Sequence, residues 1–276
     1  MKRFGLIGHP ISHSLSPSLF KAGYEGKYPY ELIETSNFEE AYSRFLSEYD
    51  GINVTAPFKE QAYAKADILS EECRLIKATN LLINCQEGVK AYNSDFLGVR
   101  MWLQEVMNSS DKSLTALIVG CGGAGKAAAI AAASLGMKVI LMNRDMSKAE
   151  VIAESIDSMQ DSPNAEIRTL DGFTECFRLA DIIIYNIPTA IPALNELSDK
   201  DFQGESGTDG VYQEKYILEA NYKSPSFTVE FISRAVKSNP KAAFTDGRTW
   251  LLYQAVTGYE IFTGEKPDLA SMSAVL

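Results

Sequence analysis

Residues 9–16 read HPISHSLS and contain the only two histidines of the chain, His9 and His13, next to the hydroxyls of Ser14 and Ser16. Histidines in a polar loop suggest a histidine-based catalytic site. The opposite assignment is equally open: the serines matter more and the histidines stand by. Two other stretches hold groups able to move a proton. Lys59 ends GINVTAPFK, where it follows a strand-like run, a threonine and a proline-containing turn. Asp95 ends YNSD, beside Asn93 and Ser94. Each is ordinary alone, since a lysine at a helix start is usually solvated and an aspartate there is usually an N-cap. Together they would suit acid–base work at a hydroxyl or keto carbon.

A fourth stretch states what the proton would accompany. Residues 120–125 are GCGGAG, so Gly120, Gly122 and Gly125 satisfy G-x-G-x-x-G, with Gly123 and Ala124 filling the loop. The motif is weak by itself, but here a β-rich run (LTALIV) precedes it and an alanine-rich helix pattern follows. That context predicts a dinucleotide pyrophosphate at a helix N-terminus and hydride transfer. The next strand ends in LMNRDMSK. Asn143 stands where NAD sites usually carry an acid, and Arg144 and Lys148 could pair with a 2′-phosphate, which favours NADP. Asp145 leaves NAD possible. Cys121, inside the loop, is read as a small residue that fits there in preference to a thiol activated by the helix end.

The elements that must position these groups alternate between short β-rich runs and helical spacing. Strands are expected at RFGLIG, YELIET and GINVTA, with helices over 16–26 and 37–49 capped by Ser16 and Asn37. A helix is expected across 59–78, a hairpin over 80–94 turning at Glu87-Gly88, and an amphipathic helix over 95–107. The polar stretch NSSDKS (108–113) is the expected domain boundary. Beyond it the pattern restarts with strands at 114–120, 137–143, 181–188, 216–222 and 241–247, helices near 124–135 and 147–159, and a closing helix over 248–264. Buried strands joined by helices predict an α/β fold with a parallel sheet covered on both faces.

The composition excludes other classes. The chain has 276 residues, 46% hydrophobic, with a formal net charge of −10, which suits a small-molecule enzyme and not a nucleic-acid surface. Its apolar runs are too short or broken to cross a bilayer. Met1-Lys2-Arg3 leads directly into FGLIG without a signal-peptide core, so a cytoplasmic location is expected. Four cysteines without CxxC spacing are read as free thiols, and no metal site is expected.

In order along the chain, GHPISHSLSP, NVTAPFK, ATN, YNSD, GCGGAG, NR and a closing DG…Q resemble the motifs of the shikimate dehydrogenase family over about residues 4–265. The resemblance implies two α/β domains with a cleft that closes on binding: a substrate domain (1–110 with 246–276) and a Rossmann-type doubly wound dinucleotide-binding domain (111–245). It implies NADPH-dependent reduction of 3-dehydroshikimate to shikimate in aromatic amino-acid biosynthesis. Lys59 and Asp95 would be the catalytic pair. Ser14 and Ser16 would grip the substrate carboxylate, and Thr55, Asn80, Gln254 and Tyr222 would be further substrate ligands. The cofactor would be NADP, with NAD possible, held by Gly120, Gly122, Gly123, Ala124, Gly125, Asn143, Arg144 and Lys148. On this resemblance the serines matter and the histidines are peripheral. Partners are limited to the small-molecule substrate, without nucleic acid or membrane, in a monomer or homodimer.

The departures from the family pattern gather on the cofactor side. Asn186-Ile187-Pro188-Thr189-Ala190 lacks the family's glycine, Thr249 and Trp250 replace a glycine and a methionine, and Asp145 replaces a small polar residue. They predict a cofactor held differently, with altered affinity or NAD tolerance. Two alternatives accompany them: an NAD-tolerant quinate/shikimate-type dehydrogenase, and a non-catalytic protein that binds shikimate or a dinucleotide.

Overall fold

The computed structural model describes residues 1–107, 113–159, 165–204 and 212–276. The expected boundary at 108–113 lies almost wholly outside the described residues. The chain divides into two compact units, Met1–Gly98 with Leu251–Leu276, and Val99–Trp250.

The first unit carries strands β1 (Phe4–Gly8), β2 (Tyr30–Glu34), β3 (Gly51–Val54), β4 (Ile68–Leu69), β5 (Leu81–Cys85) and β6 (Gly88–Tyr92) in one sheet of order β2-β1-β3-β5-β6-β4. The three strands β2, β1 and β3 are parallel, while β5 runs antiparallel to both β3 and β6. A two-residue reversal at Gln86-Glu87 joins β5 to β6, so this sheet is mixed where the helical connections give way to a hairpin. Because side chains alternate across a strand, β1 sends Phe4 to one core and Ile7 to the other. One core holds Phe38, Phe45, Ile52, Phe58 and Leu82. The other holds Leu19, Phe20, Leu81, Tyr259 and Phe262, with Phe4 stacked on Phe262 at 5.0 Å between ring centroids.

Helices α1 (Ser16–Gly23), α2 (Phe38–Glu48), α3 (Lys59–Ala64), α4 (Glu71–Ile76) and the start of α5 (Ser94–Met107) belong to this unit. Asn37 caps α2 as expected, accepting from the Glu40 amide at 3.3 Å. Ser16 does not cap α1: it is already helical, Leu15 holds the cap position, and no side chain makes a cap bond there. The single helix expected over 59–78 is also corrected. Ile68-Leu69 pair with Lys90-Ala91 of β6, and that pairing splits the stretch into α3 and α4. Helical spacing ran through it because a two-residue edge strand is too short to imprint its own period.

The second unit is a six-stranded, all-parallel sheet of β7 (Thr115–Val119), β8 (Lys138–Met142), β9 (Glu166–Arg168), β10 (Ile182–Tyr185), β11 (Lys215–Glu219) and β12 (Ala242–Asp246), in order β12-β11-β10-β7-β8-β9. Read from β7, this is the doubly wound order 3-2-1-4-5-6, whose direction switches between β7 and β10. Helix α6 (Gly123–Ser134) is buried along almost its whole length, which suits its run of alanines. Helices α7 (Met146–Asp157), α8 (Phe173–Leu179), α9 (Ala193–Glu196), α10 (Asp199–Gln203) and α11 (Val229–Ser238) complete the layers. The strand at 166–168 and the helices at 173–179 and 229–238 had no expectation from the sequence.

Helix α12 (Gly247–Thr263) starts in the second unit, and from Leu251 onward it belongs to the first. The short α13 (Leu269–Ser273) packs its Met272 against Gly23 of α1, which accounts for the apolar tail. Among the described residues no helix is long and apolar enough to cross a membrane, and no His, Cys, Asp and Glu cluster is arranged to hold a metal.

Candidate active site

In the first unit, Lys59 opens α3 and Asp95 lies in the first turn of α5, and the fold brings them together: Lys59 Nζ stands 2.5 Å from Asp95 Oδ2. The side chains are 31% and 16% exposed, so the pair is sheltered yet reachable. Residues 78–80 tie both ends. The Thr79 amide donates to the Lys59 carbonyl at 3.2 Å, Asn93 Nδ2 donates to the Ala78 carbonyl at 3.2 Å, and Asn80 Oδ1 accepts from the Ser94 amide at 2.7 Å. Asn93 Oδ1 accepts from the Phe96 amide at 3.1 Å, so Asn93 serves α5 in the manner of an N-cap and Asp95 is left for Lys59. Asn80 is buried, and its carbonyl oxygen is taken by Ser94.

Gln254 arrives on α12. A Cβ on Gly98 would lie 2.5 Å from the Gln254 amide nitrogen, so only glycine allows α5 and α12 to approach this closely. Gly98 is one turn beyond Asp95, which places Gln254 beside the same end of α5. Thr55 directly follows β3, with its amide bonded to the Ile7 carbonyl at 2.9 Å, at the start of the turn that delivers Lys59.

The loop after β1 carries Ser14 and leads into Ser16 at the start of α1; the two are joined by an Oγ–Oγ hydrogen bond of 3.1 Å, while the Ser16 amide donates to Ser14 Oγ at 3.2 Å. The two hydroxyls are thereby held as a pair. His9 and His13 are exposed, and His9 Nδ1 faces Glu34 at 3.9 Å. Neither histidine has a hydrogen bond to the serines among the described residues. Tyr222 belongs to the second unit, where the Arg248 guanidinium lies 5.9 Å from its ring centroid.

In the second unit, the loop after β7 turns at Gly120, whose φ of +96° favours glycine. A Cβ on Gly125 would fall 1.8 Å from the Gly120 carbonyl oxygen, so the first turn of α6 can lie on the strand end only without a side chain. Gly122 and Gly123 are exposed, with nothing within 4 Å of a Cβ position. The result is an open cradle at the N-terminus of a twelve-residue helix. Ala124 follows it as the second helical residue. Across the switch point, the Asn186 Oδ1 atom is buried without a hydrogen-bond partner. A dinucleotide fits this site, supplying phosphate oxygens for the open cradle.

At the end of β8, Asn143 Oδ1 accepts from the Cys121 amide at 3.1 Å and its Nδ2 donates to the Asp145 carbonyl at 2.7 Å, so Asn143 laces the two loops together. Arg144 and Lys148 are exposed beside it. The Asp145 carboxylate caps α7, accepting from the Ser147 amide at 3.2 Å and hydroxyl at 2.7 Å, and that hydroxyl holds its pKa below the ordinary carboxylate value. Cys121 is buried, and burial pushes its thiol up to about 12, the behaviour of a small packing residue. All four cysteines are free.

Sequence reasoning missed Thr79, fully buried at the centre of the 78–80 tie. Its hydroxyl donates to the Tyr92 carbonyl at 2.5 Å. The ATN motif was the signal, but Asn80 alone was taken from it.

Family comparison covers both units. A model of the "shikimate dehydrogenase substrate binding domain" matches residues 6–82, and a model of "shikimate / quinate 5-dehydrogenase" matches residues 103–203. A shikimate dehydrogenase (NADP(+)) of Methanobrevibacter smithii is 30% identical over 283 residues, covering 100% of this chain and 96% of that protein. Among solved structures, a shikimate dehydrogenase in complex with NADP+ superposes with a TM-score of 0.80 at 26% identity, over 100% of this chain and 94% of the other. The quinate dehydrogenase of Corynebacterium glutamicum in complex with NAD gives 0.82 at 22% identity, over 99% and 98%, a likeness of fold. With both units matched and a relative aligned from end to end, the chain belongs to the shikimate dehydrogenase family.

Proposed function

We propose that this protein reduces the ketone of 3-dehydroshikimate to the alcohol of shikimate with NADPH, a step of aromatic amino-acid biosynthesis. The Lys59–Asp95 pair carries the reading: an ammonium held by a carboxylate at 2.5 Å is a donor poised for a developing alkoxide. NADPH, when bound, supplies the hydride to the carbonyl carbon. Lys59 gives the ketone oxygen its proton and regains one from solvent, and Asp95 keeps the lysine aimed. Asn80 Nδ2, Thr55 and Gln254 hold the ring hydroxyls near that pair, and Ser14 with Ser16 receive the carboxylate. Tyr222 is a further substrate ligand.

The cradle at Gly120, Gly122, Gly123, Ala124 and Gly125 would hold the pyrophosphate. Arg144 and Lys148 would meet the 2′-phosphate, with Asn143 setting the loop that presents them. Asp145 was the main reason to expect NAD, and its carboxylate is engaged at the α7 N-terminus. Its use as a cap supports the NADP reading. Of the other departures, Trp250 is buried in the second unit, while Pro188 is exposed with its carbonyl accepting from Asn221 Nδ2 at 3.1 Å.

The test is the initial rate of nicotinamide reduction with shikimate, comparing NADP⁺ with NAD⁺, and quinate in parallel. Fast turnover with shikimate and NADP⁺ alone is expected. Equal rates with NAD⁺, or preference for quinate, would overturn the assignment, and shikimate binding without turnover would make this a binding protein.

A further inference from the structure

The loop after β10, which lacks the family's glycine, is fastened by side chains. Residues 186–191 have no regular structure, and Pro188, Thr189 and Ala190 at the tip are exposed. One end rests on the cradle: the Asn186 amide donates to the Val119 carbonyl at 2.7 Å, and a Cβ on Gly120 would lie 3.1 Å from Ile187 Cγ1. The rest is held by Tyr185 and Asn221. Tyr185, the last residue of β10, is fully buried, its ring packed on Phe227 with centroids 5.3 Å apart. Its hydroxyl donates to the Thr189 carbonyl at 2.8 Å and accepts from the Ile191 amide at 3.1 Å, so one phenol closes the loop on itself. Burial pushes that phenol above its ordinary value, which keeps the donated proton in place.

Asn221 follows β11. Its Nδ2 carries two protons. One goes to the Pro188 carbonyl at 3.1 Å and the other to the Ser224 carbonyl at 2.8 Å, while Oδ1 accepts from the Ser224 amide at 3.3 Å. The Glu219 carboxylate accepts from the Ser226 and Phe227 amides, and so ties the segment carrying Asn221 to the end of β11.

The place of this loop gives the clasp a purpose. A doubly wound sheet binds its ligand outside the carboxyl ends of the strands at the switch point, here between β7 and β10. The β7–β8 side carries the cradle, with Arg144 and Lys148 for the 2′-phosphate, which leaves the β10–β11 side for the nicotinamide half. A loop ordered only on binding would subtract its ordering entropy from that half's affinity.

We propose that Tyr185 and Asn221 are positioning residues for the nicotinamide half of the dinucleotide, their side chains pre-forming loop 186–191 before the cofactor arrives. The inference rests on the dinucleotide reading of the cradle.

The test measures dissociation constants by calorimetry for NADP⁺ and for adenosine 2′,5′-bisphosphate, which lacks the nicotinamide half, in wild type, Tyr185→Phe and Asn221→Ala. Tyr185→Phe keeps the ring and removes both hydroxyl bonds. With the loop then formed in about a tenth of the molecules, affinity falls in proportion. The Kd for NADP⁺ should rise about tenfold and that for the bisphosphate should stay within about twofold. In the free protein, hydrogen exchange at the Ile191 amide should speed up about tenfold, while the Asn186 amide, bonded to β7, stays slow. Asn221→Ala should weaken NADP⁺ about threefold with the same selectivity. Parallel losses for both ligands, or a lowered melting temperature with unchanged Kd values, would overturn the proposal. If wild type does not bind both ligands, the dinucleotide reading has failed and the inference falls with it. If it binds both and neither variant weakens NADP⁺, the inference alone is wrong. Should one variant not fold, the other decides.

Discussion

Lys59 Nζ and Asp95 Oδ2 lie 2.5 Å apart although 36 residues separate them in the chain. Residues 78–80 bridge the two: the Thr79 amide bonds to the Lys59 carbonyl on one side, and the Ala78 carbonyl and Asn80 side chain bond to Asn93 and Ser94 on the other. The ion pair is thus assembled by a third segment whose bonds involve neither charged group. That makes the pair suitable for substitution.

Lys59→Ala and Asp95→Asn should each lower kcat for shikimate oxidation by about 10²–10⁴-fold, the range of general acid–base help. KM should change much less, since Asn80, Thr55 and Gln254 stay in place. Lys59→Arg should not restore the rate, because guanidinium does not exchange its proton near neutral pH. Steady-state kinetics decide, and activity retained by Lys59→Ala would remove the lysine from the chemistry.

Gly98→Ala tests the α5–α12 contact within the first unit. Its methyl would lie 2.5 Å from the Gln254 amide, and backbone cannot swing aside as a side chain would. The expected cost is about 1–3 kcal/mol from overpacking, measured by urea unfolding, with KM for shikimate raised as Gln254 is displaced. Unchanged stability and KM would show that the helices have room there.

Gly122→Ala and Gly125→Ala separate cofactor binding from folding. At Gly125 a methyl would collide with the Gly120 carbonyl at 1.8 Å, so stability and NADP⁺ affinity should fall together. At Gly122 nothing in the chain lies within 4 Å, so stability should hold while NADP⁺ affinity drops at least tenfold, by about 1.4 kcal/mol. Fluorescence titration with NADP⁺ and a thermal melt read the two effects. Full affinity in Gly122→Ala would mean that the pyrophosphate does not approach the loop there.

Much of this was legible because period and turn chemistry act locally. The runs LTALIV and KVILM, the glycines of 120–125 and the Asn37 cap each carry their own signal, and the structure places them where the pattern implies. What escaped depends on distant partners. Ile68-Leu69 become a strand only because β6 offers an edge to pair with, and three strand residues at 166–168 are too few to show a period. Within the site, residue types pointed to Lys59, Asp95 and the serines. The Thr79 tie lies beyond any local motif, since its partners come from separate elements.

Asp145 is where local sequence argued for two cofactors, and the cap supplies a prediction that separates them. Because the carboxylate serves the α7 N-terminus, Asp145→Ala should lower the melting temperature while leaving the NADP⁺ preference in place. The pH dependence follows from the direction of its shift. The Ser147 hydroxyl depresses its folded-state pKa from the ordinary 3.8, so the stabilisation is complete above that value and is lost as pH falls through the lower folded-state value. The melting-temperature gap between wild type and Asp145→Ala should therefore be flat near neutrality and close in acid. A gap that widens on acidification, or a variant whose NADP⁺ preference moves tenfold relative to NAD⁺, would place the carboxylate at the cofactor and not at the helix.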